Sequence, residues 1–200
     1  MIRRIAMISL FLFAVAASAH AEAIVGKKAP SISLMDSDGK TVKLEDYKGK
    51  YVVLEWVNFS CPFVKRQYGT GNMQRLQKEF TEKGVVWLSI CSSAEGKQGY
   101  MTADEAKTIS KERNAVPTDL LLDPAGVAGK AYGAKTTPHM FVIDPKGKVL
   151  YNGAIDDKPS ADPEEIPPTK SYVATALDQA MSGKKVAVAV TQSYGCSVKY

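Results

Sequence analysis

The chain has no Cys-x-x-Cys pair, no glycine-rich phosphate loop, no dinucleotide fingerprint and no paired-cysteine zinc pattern. These absences remove the self-contained dithiol exchanger, the nucleotide-binding classes and the zinc module as readings. Histidine is nearly missing, with only His20 and His139. Basic residues give a net charge of +5 but form no concentrated stripe, so nucleic acid is not an expected partner. No apolar run is long enough for a stable membrane span. Three cysteines are present, Cys61, Cys91 and Cys196. An odd number leaves at least one thiol free or paired with another molecule.

Residues 1–21 have the layout of a secretory signal peptide. Arg3 and Arg4 form the charged head, Ile5 to Ala17 the apolar stretch, and Ala19-His20-Ala21 the cleavage pattern. The expected mature protein starts at Glu22 and is exported, periplasmic or secreted, with no cysteine after the cleavage pattern for lipid attachment. Losing His20, Arg3 and Arg4 leaves one histidine and lowers the net charge from +5 to +3. The remainder suits one domain, 22–184, with a C-terminal tail, 185–200, packing on it. In an oxidising compartment cysteines tend to pair. Three of them fit a redox-active thiol better than a structural framework.

The organising stretch is Glu55-Trp56-Val57-Asn58-Phe59-Ser60-Cys61-Pro62-Phe63-Val64-Lys65-Arg66. The apolar run from Tyr51 to Val57 predicts a buried strand. Pro62 predicts a helix start, because the missing N–H of proline would be unpaired there anyway. Cys61 then stands at a helix N-terminus, where free N–H groups favour negative charge, and Lys65 and Arg66 add positive charge nearby. Such surroundings lower a thiol pKa from roughly 8.5 into a range of about 3.5–7.5. A buried core cysteine is the bland alternative; the strand–Cys–Pro–helix context favours chemistry.

Along the rest of the chain, Ser31–Leu34 and Thr41–Leu44 alternate around Asp36-Ser37-Asp38-Gly39 and predict a hairpin. Val64, Tyr68, Met73, Leu76 and Phe80 keep helical spacing except across Gly69-Thr70-Gly71, where a break is expected. Val85–Ile90 predicts a second buried strand ending at Cys91. Thr102-Ala103-Asp104-Glu105 is a capping box that opens a helix to about Arg113. Leu120–Leu122 is a short strand, followed by a short helix through Ala131. Met140–Asp144 and Lys148–Tyr151 flank Pro145-Lys146-Gly147 as a second hairpin. Asp156–Lys170, rich in proline and carboxylates, reads as a solvated loop. Tyr172, Ala176, Leu177, Ala180 and Met181 predict a final amphipathic helix. The class is α/β with a mixed central sheet flanked by helices.

Gly26…Ala29-Pro30…Leu34…Asp36…Gly39…Leu44…Gly49-Lys50, followed by the strand and Cys61, resembles the opening of redoxins. These are thioredoxin-fold proteins of the alkyl hydroperoxide reductase/thiol-specific antioxidant superfamily. Tyr132-Gly133-Ala134-Lys135-Thr136-Thr137-Pro138-His139, with Phe141-Val142-Ile143-Asp144 and Gly147, resembles the cis-proline loop and hairpin of that fold. The end, Thr191 to Tyr200, resembles the cysteine-bearing tail of an exported peroxiredoxin-like subgroup. Three departures stand out. Val64 occupies the second cysteine position of dithiol thioredoxins. Leu54 and Asn58 stand where peroxiredoxins carry the Pro and Thr of P-x-x-x-T-x-x-C, and no arginine lies beside Pro138.

The resemblance implies a thioredoxin-like fold with an N-terminal hairpin and a cysteine-bearing tail. It implies a thiol oxidoreductase in which Cys61 attacks a peroxide or a substrate disulfide, Cys196 or a partner's thiol resolves it, and an external thiol reductant completes the cycle. Asn58, Lys65 and the helix start at Pro62 are the expected thiolate environment, with Phe59 a water-excluding wall. Thr137 and the cis Pro138 shape the pocket, Thr137 offering backbone groups to a substrate strand. His139 is either a proton-transfer neighbour of Cys61 or a histidine without a chemical role. Cys91 reads as structural. No cofactor or metal is expected, and a homodimer stays open. The alternative function is a copper-binding or assembly-factor protein using Cys61, His139 and Cys196 without turnover. The three possible cysteine pairings also remain open.

Overall fold

The computed structural model describes residues 23–165 and 170–200. The signal-peptide reading falls outside the described residues. β1 (Ser33–Asp36) and β2 (Thr41–Lys43) form the expected hairpin, the first strand starting and ending two residues later than the pattern predicts. β3 (Val52–Trp56) is buried along its whole length. It lies parallel to β4 (Val86–Cys91), and β4 lies parallel to β5 (Asp119–Leu122). On its other edge β3 runs antiparallel to β7 (His139–Ile143), which pairs with β8 (Val149–Gly153). The sheet order is β2-β1-β5-β4-β3-β7-β8, the mixed α/β arrangement expected.

Alternation along β3 sends Val53 and Val57 into one core and Val52, Leu54 and Trp56 into the other. The first core is covered by α1 (Pro62–Gly69), α2 (Asn72–Glu82), α3 (Ala103–Glu112) and α5 (Tyr172–Met181). The second is covered by α4 (Val127–Tyr132) and the N-terminal segment. The break between α1 and α2 falls where the glycines predicted it. Gly71 caps α2 with φ +75°, a conformation that side-chain-bearing residues rarely adopt. Thr102 and Glu105 form the capping box of α3.

β3 also carries a carboxylate into the first core. Glu55 is fully buried and accepts hydrogen bonds from Tyr68 O–H at 3.0 Å, Trp87 Nε1 at 2.8 Å, Ser89 Oγ at 2.8 Å and Gln77 Nε2 at 3.2 Å. Burial pushes its pKa up, and the four hydrogen bonds offset only part of that. Folding therefore favours the protonated form. The resulting stability is complete below the unfolded carboxyl pKa and is lost as pH rises through the folded one. In Glu55→Gln the amide carbonyl can face Trp87 and Ser89 while its NH2 meets the Tyr68 hydroxyl. Denaturant midpoints should therefore fall with pH more steeply in the wild type than in the variant, and parallel curves between pH 4 and 8 would contradict this.

Candidate active site

Cys61 is the N-cap of α1 in an extended conformation, with Pro62 at the first helical position as the sequence predicted. Its side chain is fully buried. The Sγ lies 3.1 Å from the carbonyl of Thr137, across a cis Thr137–Pro138 bond. Thr136 and Thr137 form a two-residue strand, β6, that the sequence pattern did not reveal. Its partner is β9 (Cys196–Ser197), with Thr137 opposite Cys196 and Thr136 opposite Ser197. The tail thus lies across the cis-proline loop and brings Cys196 to Cys61 as a hydrogen-bonding neighbour. Both thiols are free.

The two sulfurs are unlike. Burial alone would push the Cys61 thiol up. Hydrogen bonds from Cys196, Thr137 and the Val64 backbone outweigh it and hold Cys61 below the ordinary thiol range. The Thr137 carbonyl acts in the opposite sense, because it accepts only from the protonated thiol. Cys196 is pushed up to about 11, first by burial and then by its hydrogen bond and charge repulsion with Cys61. Of this pair Cys61 gives up its proton first and Cys196 keeps its proton longer. Cys91 is separate: its thiol donates to the Gly99 carbonyl at 3.3 Å, and burial raises its pKa.

The remaining expected residues divide. Asn58 is buried, but both ends of its amide are engaged away from the sulfur. Its Oδ1 accepts from Ser60 N–H at 2.9 Å and its Nδ2 donates to Gln98 O at 3.1 Å. It clamps the Cys61 turn to the loop after β4 and does not hydrogen-bond the thiolate. The donor at the helix start is the backbone of Val64. Phe59 is buried edge-on against Tyr68. Lys65 is exposed and lines a groove of about 480 Å³ with Phe59, Tyr100, Asp104 and Glu105.

His139 is placed away from the thiol. It pairs with Trp56 across β3 and β7 and stacks on Phe141, in the core on the other side of the sheet. Its Nδ1 accepts from Lys135 N–H at 3.2 Å, so its proton sits on Nε2, facing Asn152 Oδ1 at 2.8 Å. The two readings of His139 are thereby separated by register: a strand residue opposite Trp56 faces away from Cys61. Among the described residues no cluster of three or more His, Cys, Asp or Glu side chains forms a metal site.

The loop after β8 corrects the solvated reading at its first residue. Asp156 is buried and accepts from Gln67 Nε2 at 2.8 Å and from the Tyr194 hydroxyl. Arg66 of α1 lies 3.6 Å from the same carboxylate and donates to the carbonyls of Lys158 and Ser160, both at 2.7 Å. This network ties the helix carrying Cys61 to the tail carrying Cys196.

A thiol at a helix start, a cis-proline loop opposite it and a mixed sheet beneath are features of thioredoxin-like proteins, and the family model for AhpC/TSA matches residues 25–152. The chain belongs to the AhpC/TSA family. It is similar to the thiol-disulfide oxidoreductase ResA of Bacillus thuringiensis, 29% identical over 129 residues, covering 63% of this chain and 67% of that protein. It is also similar to a thioredoxin peroxidase of Echinococcus granulosus, 30% identical over 157 residues, covering 68% and 74%. Among solved structures, an uncharacterized conserved protein from Geobacillus kaustophilus superposes with a TM-score of 0.78 at 30% identity, covering 89% of this chain and 93% of that one. Thioredoxin-fold oxidoreductases are further structural neighbours. This AhpC/TSA protein therefore has a thioredoxin-like α/β fold and is an enzyme of thiol oxidoreduction.

Proposed function

We propose that this protein is an exported thiol oxidoreductase with peroxiredoxin-like chemistry, Cys61 being the nucleophile and Cys196 the resolving thiol. The observation that carries this reading is the pairing of Cys196 with Thr137, which sets a second thiol beside Cys61, the more acidic sulfur of the two. The Cys61 thiolate attacks a peroxide oxygen and becomes a sulfenic acid, and the leaving alkoxide or hydroxide takes up a proton. Cys196 then attacks the sulfenic sulfur, forming the Cys61–Cys196 disulfide and releasing water. An external dithiol reduces that disulfide and leaves as its own disulfide. With a disulfide substrate the same thiolate forms a mixed disulfide and expels the substrate's second sulfur as thiolate. Export rests on the N-terminal pattern, and the copper alternative loses the imidazole it needed beside Cys61.

The test is a non-reducing peptide map of the reduced protein after one equivalent of hydrogen peroxide. A Cys61–Cys196 disulfide should form, and Cys61→Ser should abolish it. Oxygen retained on Cys61 would assign resolution to a partner's thiol. No Cys61-dependent change would refute the peroxidase reading.

A further inference from the structure

Thr137 is the residue whose backbone a docking substrate strand would use, and its pairing position is already taken. β9 holds the register of an incoming antiparallel strand, with Cys196 opposite Thr137. The fit is close: Gly195 has φ +124°, and a Cβ there would collide with the Thr137 carbonyl. The tail is fastened on both sides of this contact. Before it, the Tyr194 hydroxyl donates to Asp156 and its ring lies 5.9 Å from that of Phe63. After it, Val198 N–H donates to Lys135 O at 3.1 Å, and Ala94 N–H donates to Lys199 O at 2.8 Å. Tyr200 covers Gly126 and Gly129 and donates to Ala134 O at 2.8 Å. Beneath the strap Cys61 has no exposed surface, whereas Cys196 is half-buried.

We propose that the C-terminal strand is the specificity element of this enzyme. Docked, it restricts Cys61 to oxidants small enough to reach a covered sulfur. Released, it opens the Thr137 edge to an extended peptide carrying a disulfide. A peroxide needs only a transient gap of about its own size. A peptide needs the backbone groups of Thr136 and Thr137, which β9 occupies. A strand of two residues belongs to the low-stability end of local opening, so release does not require unfolding. In the open form the Cys61 thiolate attacks one sulfur of the peptide disulfide, a Cys61–peptide disulfide forms, and the other sulfur leaves as thiolate.

This inference rests on Cys61 being the nucleophile, and the experiment separates the two. The wild type, Gly195→Ala and a chain ending at Gln192 are reduced and checked for folding by circular dichroism. Each is reacted with hydrogen peroxide and with an extended peptide whose cysteine is disulfide-bonded to 5-thio-2-nitrobenzoate, whose release is read by absorbance. The readout is the ratio of the two rate constants, which cancels changes in thiolate fraction. The ratio of peptide to peroxide rate should rise about tenfold or more in both variants, as expected when one or two net hydrogen bonds of a competing strand are removed. A synthetic peptide of residues 193–200 with serine at the cysteine position should restore exclusion in the shortened chain, which keeps the proposal testable if Gly195→Ala misfolds. An unchanged ratio would overturn the strap. Loss of both reactions in every folded form, wild type included, would instead overturn Cys61 as nucleophile.

Discussion

Arg66→Ala is expected to destabilise the protein by about 3–5 kcal/mol, the cost typical of breaking a buried charge pair from one side. Arg66 is 2% exposed and Asp156 1%. Without the guanidinium, Asp156 keeps its hydrogen bonds from Gln67, Tyr194 and the Lys158 backbone but loses its counter-charge. Two loop carbonyls lose the guanidinium as well, that of Ser160 and that of Lys158, the latter keeping the Ser160 N–H. The guanidinium itself is incompletely satisfied, since Nε and one terminal nitrogen have no hydrogen-bond partner. Its attraction to Asp156 acts over 3.6 Å, so much of its worth lies in the two short bonds to the loop. Arg66→Lys retains the charge, but its shorter reach must bring the ammonium to the place where one guanidinium nitrogen, Nη1, serves both carbonyls, and it should recover only part of the loss. A double variant, Arg66→Met with Asp156→Leu, should be less destabilised than Arg66→Ala because no lone charge stays buried. Denaturant unfolding measures all three, and a cost below about 1 kcal/mol for Arg66→Ala would show that water replaces the pair.

The consequence at the site follows from Tyr194. Its hydroxyl is held by the same carboxylate, two residues before Cys196. Loosening Asp156 should slow closure of the Cys61–Cys196 disulfide more than the first oxidation of Cys61, and quenched-flow peptide mapping separates the two steps.

What was legible in the sequence was local. The buried strand, the N-cap at Cys61, the break at Gly69–Gly71 and the Thr102 capping box each depend on neighbours within a few residues, and each formed as read. What was not legible depended on contacts distant along the chain. β6 and β9 are two residues each, too short for any periodicity, and they meet only because the tail returns across the sheet. The orientation of His139 follows from its register opposite Trp56, which no feature of its own segment specifies. Asp156 opens a segment whose average composition belongs in water, yet Arg66, Gln67 and Tyr194 bury it. Asn58 stands at the motif position of the peroxiredoxin threonine, which suggests a donor to the sulfur, but Gln98 O and Ser60 N–H claim its amide.

Cys196→Ala is expected to change the chemistry of Cys61 as well as remove a resolving thiol. The Cys196 side chain is the largest of the influences lowering the Cys61 pKa, acting against burial. Without it burial regains weight and the Cys61 pKa moves up. The thiolate fraction rises with pH through the pKa, so at a fixed pH below it an upward shift lowers reactivity by roughly tenfold per unit. Iodoacetamide alkylation followed at the Cys61 peptide should inflect below the ordinary thiol range in the wild type and at higher pH in Cys196→Ala. Cys196 itself should alkylate slowly until the pH approaches about 11, because burial and the adjacent thiolate both keep its proton in place. For a pair that does not interact, removing Cys196 would leave the Cys61 profile where it was. A coincident inflection in the two proteins would mean that the Val64 backbone and the helix start alone hold the thiolate, and that Cys196 acts only after oxidation.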